Sequence, residues 1–143
     1  MSLTTLAEAL NLSTRPLKIL TAPNLILEQV CRLNFRIPEW LITEMFCLMR
    51  QNKGLGLAAP QIGIAARFFI THWGEVFVNS TVTLIGKEVI RTQERCLSFP
   101  GLMSTRHRHT CVEVDGRQYR NEEAVIVQHE FDHLNGITIA TGA

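Results

Sequence analysis

The sequence has no excess of charge of either sign. Fourteen Lys and Arg against thirteen Asp and Glu leave a formal charge of +1, which gives no field for gathering nucleic acid or an anionic membrane surface. Its cysteines, Cys31, Cys47, Cys96 and Cys111, form no CxxC pair and no dense pattern, so the disulfide framework of small secreted domains is excluded. No stretch approaches the roughly 20 apolar residues of a membrane span. Residues 1–16 lack the basic start, apolar core and small-residue cleavage pattern of a secretory signal, and with Glu8 and a single arginine they make a poor transit peptide. These absences together point to a reducing compartment.

What remains is the composition of an ordinary globular protein, 46% hydrophobic and 19% charged. Its 143 residues are expected to form one domain, 17–143, behind an N-terminal extension, 1–16, with a core that needs no metal or disulfide to close. Leu3, Leu6 and Leu10 suggest a short amphipathic helix over Leu3–Leu12, ended by Thr14-Arg15-Pro16. Leu17–Pro23 reads as an extended lead-in that turns at Pro23-Asn24. From Pro38, Trp40, Leu41, Met45, Leu48 and Met49 recur at helical spacing, and Asn52-Lys53-Gly54 supplies stop signals. That helix is a core element.

Gly54–Gly63 cannot continue it. Small residues this dense let a backbone pass close to a ligand or a neighbouring strand, or make a tight turn between helix and sheet. Arg67–Trp73, Val76–Asn79, Thr81–Ile85 and Glu88–Thr92 are β-rich runs separated by turn residues, which suggests an antiparallel meander. Gln93–Gly101 then reads as a loop closed by Pro100-Gly101. His107–Asp115 alternates into one more strand with a turn at Asp115-Gly116; His107 and His109 fall on one exposed face, and neither they nor His72 are ligand candidates. Cys31, Cys47 and Cys111 sit in apolar or strand-like contexts and read as inert packing.

The chemistry lies in Gln128-His129-Glu130-Phe131-Asp132-His133. Asn121 is a suitable N-cap, Glu122 and Glu123 complement the dipole, and Gly136 suits the far end, so 122–135 is expected to be helical. Two imidazoles four positions apart on a helix stand about 40° apart around the axis and about 6 Å along it, within reach of one metal ion. Glu130 lies beside the first of them, where a carboxylate can take a proton from an activated water and return it to a leaving group. The apolar stretch Ala124–Val127 places this helix in the interior. A third ligand is still required.

Three ordered stretches, GLGLAAPQ (Gly54–Gln61), ERCLS (Glu94–Ser98) and QHEFDH (Gln128–His133), resemble the peptide deformylase family, marked by GxGxAAxQ, EGCLS and QHExDH. The likeness spans roughly Lys18 to Ile139. It implies an α+β fold with antiparallel sheets packed around a central HExxH helix. It implies Cys96, His129 and His133 as ligands of one divalent ion, with a fourth position open to water; Fe(II) is the family's usual metal, and Zn(II), Ni(II) or Co(II) suit the same donors. The implied reaction is hydrolysis of N-formyl-Met peptides to formate and a free amino terminus. Glu130 is the implied proton carrier, and the Gln61 amide and Leu97 backbone N–H are the implied oxyanion donors. Gly54, Leu55, Gly56 and Gly101 would flank the peptide as an added strand, and Val125, Ile126 and the face of His129 would line the methionine pocket.

The resemblance also implies nascent formylated chains as partners and a cytoplasmic setting, in a bacterium or in the host of a phage. Arg95 stands where the family has a small residue. The chain stops soon after Gly136, as in the short phage deformylases without a C-terminal helix, so a transient meeting with the ribosome would not use that helix. Two other classes share parts of the pattern. An HExxH metallopeptidase would need neither Gln61 nor the cysteine loop, and a non-catalytic deformylase-like module would keep the fold without turnover.

Overall fold

The computed structural model describes residues 17–33 and 36–141. In chain order a 3₁₀ turn (Leu25–Glu28) precedes helix α1 (Glu39–Gln51), strand β1 (Gly56–Ala58), a second 3₁₀ turn (Ala59–Ile62), and strands β2 (Phe68–Thr71), β3 (Val76–Val78), β4 (Val82–Leu84), β5 (Val89–Glu94), β6 (Ser104–His109), β7 (Cys111–Val114) and β8 (Arg117–Arg120). Helix α2 (Asn121–Leu134) follows. The strands pair antiparallel in three sheets, ordered β1-β2-β3, β4-β7-β8 and β5-β6. This is an α+β fold with α2 at its centre, packed on β1, β2, β6, β7 and β8.

Strand β2 divides the interior. Successive side chains of a strand point to opposite faces, and the run Phe68-Phe69-Ile70 is buried throughout. Phe68 and Ile70 join Leu41, Met45 and Met49 of α1, while Phe69 joins Phe77, Val112, Val114 and Tyr119 beneath Ala124, Val127 and Leu134 of α2. The spacing Leu41, Met45, Met49 is one helical stripe, and each is fully buried; cutting one back to Ala would cost about 2–5 kcal/mol.

The ends of both helices are tied to neighbouring segments. Helix α1 stops where Lys53 turns left-handed (φ 56), with Gly54 N–H donating to Met49 O at 2.9 Å. At the far end of α2, Arg67 Nη1 donates to Leu134 O at 3.0 Å, a cation on the negative end of the dipole. Gly136 follows with φ 71, and a Cβ there would lie 2.5 Å from Glu28 O, so only glycine lets the chain leave past the first 3₁₀ turn.

Several expectations are corrected. Trp40 is 40% exposed and Leu48 only half-buried, so α1 buries a narrower stripe than its composition suggests. Gly54–Gly63 holds a strand and a 3₁₀ turn rather than a bare loop. The four β-rich runs do form strands, but the meander ends at β3: β4 pairs with β7 and β5 with β6, because the side-chain period sets which face is buried and not which strand lies alongside. The stretch His107–Asp115 is broken at Thr110, and the polar strand β8 carries only Tyr119 inward. Strand β5 continues to Glu94, two residues into the expected loop. Helix α2 begins at Asn121, which is left-handed (φ 55), with Arg120 in the cap position and no side-chain cap. Cys31 and Cys111 are buried, whereas Cys47 is exposed. The expected helix over Leu3–Leu12 lies outside the described residues.

Candidate metal centre

Helix α2 offers His129 and His133 from one face, and the turn after β5 brings Cys96 to them. The three ligand atoms lie within 4.8 Å of one another. Cys96 Sγ is 3.3 Å from His133 Nε2, and the two imidazole rings are 5.3 Å apart at 66°. One cysteine and two histidines, Cys96 and His133 buried and His129 partly so, are the donor set of a catalytic transition-metal site that keeps a position open.

His129 is aimed by Glu94. Its Nδ1 lies 2.9 Å from Glu94 Oε1, so Nδ1 carries the donated proton and Nε2 is left for a metal. In the metal-free protein burial disfavours charge on this ring, but hydrogen bonds with Cys96 and Glu94 outweigh it and lift the pKa to about 10; a metal at Nε2 would take the place of that second proton. Burial, with His129 and Arg108 nearby, pushes His133 down to about 3. Glu94 itself is buried, which works against ionisation. Hydrogen bonds from Arg108, His129 and Thr92 overcome that and hold its carboxyl well below the usual range. Arg108 also reaches Asp132 Oδ2 with Nη1 at 2.6 Å, so one guanidinium joins the end of β5 to α2.

Glu130 is 4% exposed and sits against β1. A Cβ on Gly56 would fall 2.7 Å from its Oε2 and 2.8 Å from its Cγ, so strand and carboxylate can touch only because position 56 has no side chain. Its Oε1 has no hydrogen-bond partner. A buried carboxylate oxygen left open this way is suited to receive a proton from something bound in the cleft. In the metal-free protein burial raises the Glu130 pKa to about 7, against the pull of His129.

Gln61 presents its amide nitrogen for a definite reason. Its Oε1 accepts from Ala58 N–H at 2.9 Å, which turns Nε2 towards Cys96 Sγ (3.4 Å) and Ser98 Oγ (3.2 Å). The residue is 1% exposed. Leu20 N–H donates to Gln61 O and Ala22 N–H to Ser98 O, so the lead-in segment binds these two loops to each other.

These groups line a cleft of about 970 Å³. Gly54, Leu55, Gly56, Gln61, Cys96, Leu97, Gly101, Val125, Ile126, His129 and Glu130 all border it. His133, 1% exposed, stands behind them. His107 is exposed, His109 half-buried, and neither joins the metal cluster. The motifs did not disclose what Glu94, Arg108, Asp132 and Gln128 do. Gln128 clamps β6, accepting from His109 N–H at 3.0 Å and donating to His109 O at 2.7 Å. For Arg108 a signal existed: alternation along β6 turns it inward between two outward histidines, and a buried arginine demands acidic partners.

The family model described as polypeptide deformylase matches residues 16–142. A peptide deformylase of Natranaerobius thermophilus is 38% identical over 116 residues, covering 70% of this chain and 72% of that protein. The crystal structure of the Thermotoga maritima peptide deformylase superposes with a TM-score of 0.79 at 30% identity, over 88% of this chain and 96% of the other. A deformylase from the Vibrio parahaemolyticus bacteriophage VP16T gives 0.77 at 27% identity, over 85% and 98%.

Proposed function

We infer, from the premise that this chain belongs to the polypeptide deformylase family, the part each residue of the cleft plays in its reaction. The enzyme is a metal-dependent hydrolase that removes the formyl group from the amino-terminal methionine of peptides and releases formate. One observation carries the assignment: Glu130, whose Oε1 has no hydrogen-bond partner, lines the same cleft as Cys96, His129 and Gln61.

Cys96, His129 and His133 fit a divalent ion, which when bound acidifies water and polarises the formyl oxygen. We assign Fe(II) as the physiological ion, with Zn(II), Ni(II) or Co(II) able to occupy the same donors. Glu130 takes a proton from the attacking water and hands it to the departing amine. Gln61 Nε2 and the Leu97 backbone N–H receive the charge that develops on the formyl oxygen. Glu94 keeps His129 in the tautomer that leaves Nε2 for the metal. The peptide lies along Gly54-Leu55-Gly56 with Gly101 on the other side, and its methionine side chain enters between Val125, Ile126 and the His129 ring. Nascent formylated chains in a reducing cytoplasm, bacterial or that of a phage's host, are the substrates this implies.

The test is formate release from formyl-Met-Ala-Ser, with metal content measured on anaerobically purified protein. Stoichiometric metal with formate release is expected. Cleavage of internal peptide bonds without formate would instead mark a metallopeptidase, a reading that leaves Gln61 and Cys96 without a task.

A further inference from the structure

The charges at the rim of the cleft are unevenly placed. Lys53 and Arg95 both border it and both are exposed, and among the described residues neither has an ion-pair partner. Glu94, the carboxylate next to Arg95, is taken up by Arg108, His129 and Thr92. Glu94 and Cys96 are both buried, so the residue between them in an extended segment turns outward. The two cations belong to loops that meet: Lys53 precedes Gly54, and a Cβ on Gly54 would lie 2.9 Å from Leu97 Cδ1, two residues beyond Arg95. Among the described residues the one exposed carboxylate bordering the cleft, Glu122, stands on α2 a turn before Val125 and Ile126.

We propose that Lys53 and Arg95 form a carboxylate-reading end of the cleft, which favours formylated peptides carrying an acidic side chain, or their own free C-terminal carboxylate, beyond the methionine. The proposal rests on the deformylase reading. A guanidinium offers a carboxylate two parallel donors and an ammonium adds a point charge beside it. Both remain in water, so the preference is modest and salt screens it. Neither group touches the reacting atoms. The effect therefore falls on KM and leaves kcat unchanged.

The experiment measures kcat and KM for formate release from formyl-Met-Ala-Asp, formyl-Met-Ala-Ala and formyl-Met-Ala-Lys amides, and from the free acid of the Ala peptide. Wild type is expected to bind the Asp amide and the free acid more tightly than the Ala amide. A response in either arm supports the site and identifies which carboxylate it reads. Arg95→Gln or Lys53→Gln should raise KM for the favoured peptide about 2- to 5-fold, the range of an exposed ion pair, with kcat and metal content unchanged. Arg95→Glu or Lys53→Glu should turn the preference towards the Lys peptide, and salt of about 0.5 M should flatten it. The same KM order in wild type and both charge reversals, or a kcat that falls equally on all peptides, overturns the proposal. No formate from the Ala amide with wild type would instead strike the deformylase reading itself, and the proposal with it.

Discussion

Arg108 holds Glu94 through both carboxylate oxygens, Nε to Oε2 at 2.9 Å and Nη2 to Oε1 at 2.8 Å. Both side chains are buried. A fork of this kind fixes the plane of the carboxylate as well as its charge, and Oε1 is the atom that His129 Nδ1 meets at 2.9 Å. The strand residue Arg108 thus sets the orientation of a helix residue through a third element, while its Nη1 holds Asp132 of the same helix. Each of the two acidic groups lies within a few positions of the ligands in sequence. The cation that joins them does not.

Glu94→Gln should weaken metal binding by about 10- to 100-fold, the usual cost of losing the partner that orients a ligating histidine. The neutral amide accepts from His129 but cannot also hold the guanidinium through two charged bonds. Metal affinity measured by competition with a chelator checks this, and an unchanged affinity would refute the orienting role.

The same pair predicts a pH dependence of stability in the metal-free protein. The Glu94 carboxyl is held below its ordinary range in the fold, so the ionised form contributes stability that is fully present above the unfolded value of about 4.3. That contribution is lost as pH falls from there towards the folded value. Unfolding free energies from urea titrations of wild type and Glu94→Gln should therefore differ most at pH 7, by about 3–5 kcal/mol for a broken buried pair, and the gap should narrow steadily as pH falls below about 4. A gap that stays constant over that range would contradict the linkage.

Glu130→Gln should retain its metal and lose turnover by at least ~10²-fold, since the amide fills the same space but moves no proton. Formate release near the wild-type rate would sink the mechanism.

Gly56→Ala tests why the strand approaches so closely. The added methyl would meet Glu130 at 2.7 Å, and a displacement of about 1 Å at the proton carrier can cost ~10²-fold in rate. Metal content should not change, because none of the three ligands is touched. Wild-type kcat in this variant would show that Glu130 tolerates the shift.

Cys96→Ser should purify with little metal, a hydroxyl being a poor substitute for a thiolate. Cys47→Ser, at an exposed site, should alter neither metal nor stability, and Cys31→Ser and Cys111→Ser should affect stability alone. Metal loss from one of these three with full metal in Cys96→Ser would reassign the ligand.

The sequence by itself determined the helix that carries His129, Glu130 and His133, because the four-residue spacing and the apolar stretch before it are local properties of one chain segment. It also determined the positions of β2 to β5 closely, since β-branched and aromatic runs between turn residues need no partner to be recognised. The resemblance of three short motifs, and not periodicity, pointed to Cys96, Gln61 and Leu97. The tertiary structure alone decided that β4 turns to β7 and β5 to β6, and that Gly56 serves to admit Glu130. It alone decided that Glu94 is held by Arg108 rather than by the adjacent Arg95. Strand partners and buried ion pairs depend on which segments arrive side by side, and that follows from closing two cores around β2 and α2 at once, a condition no single stretch of sequence expresses.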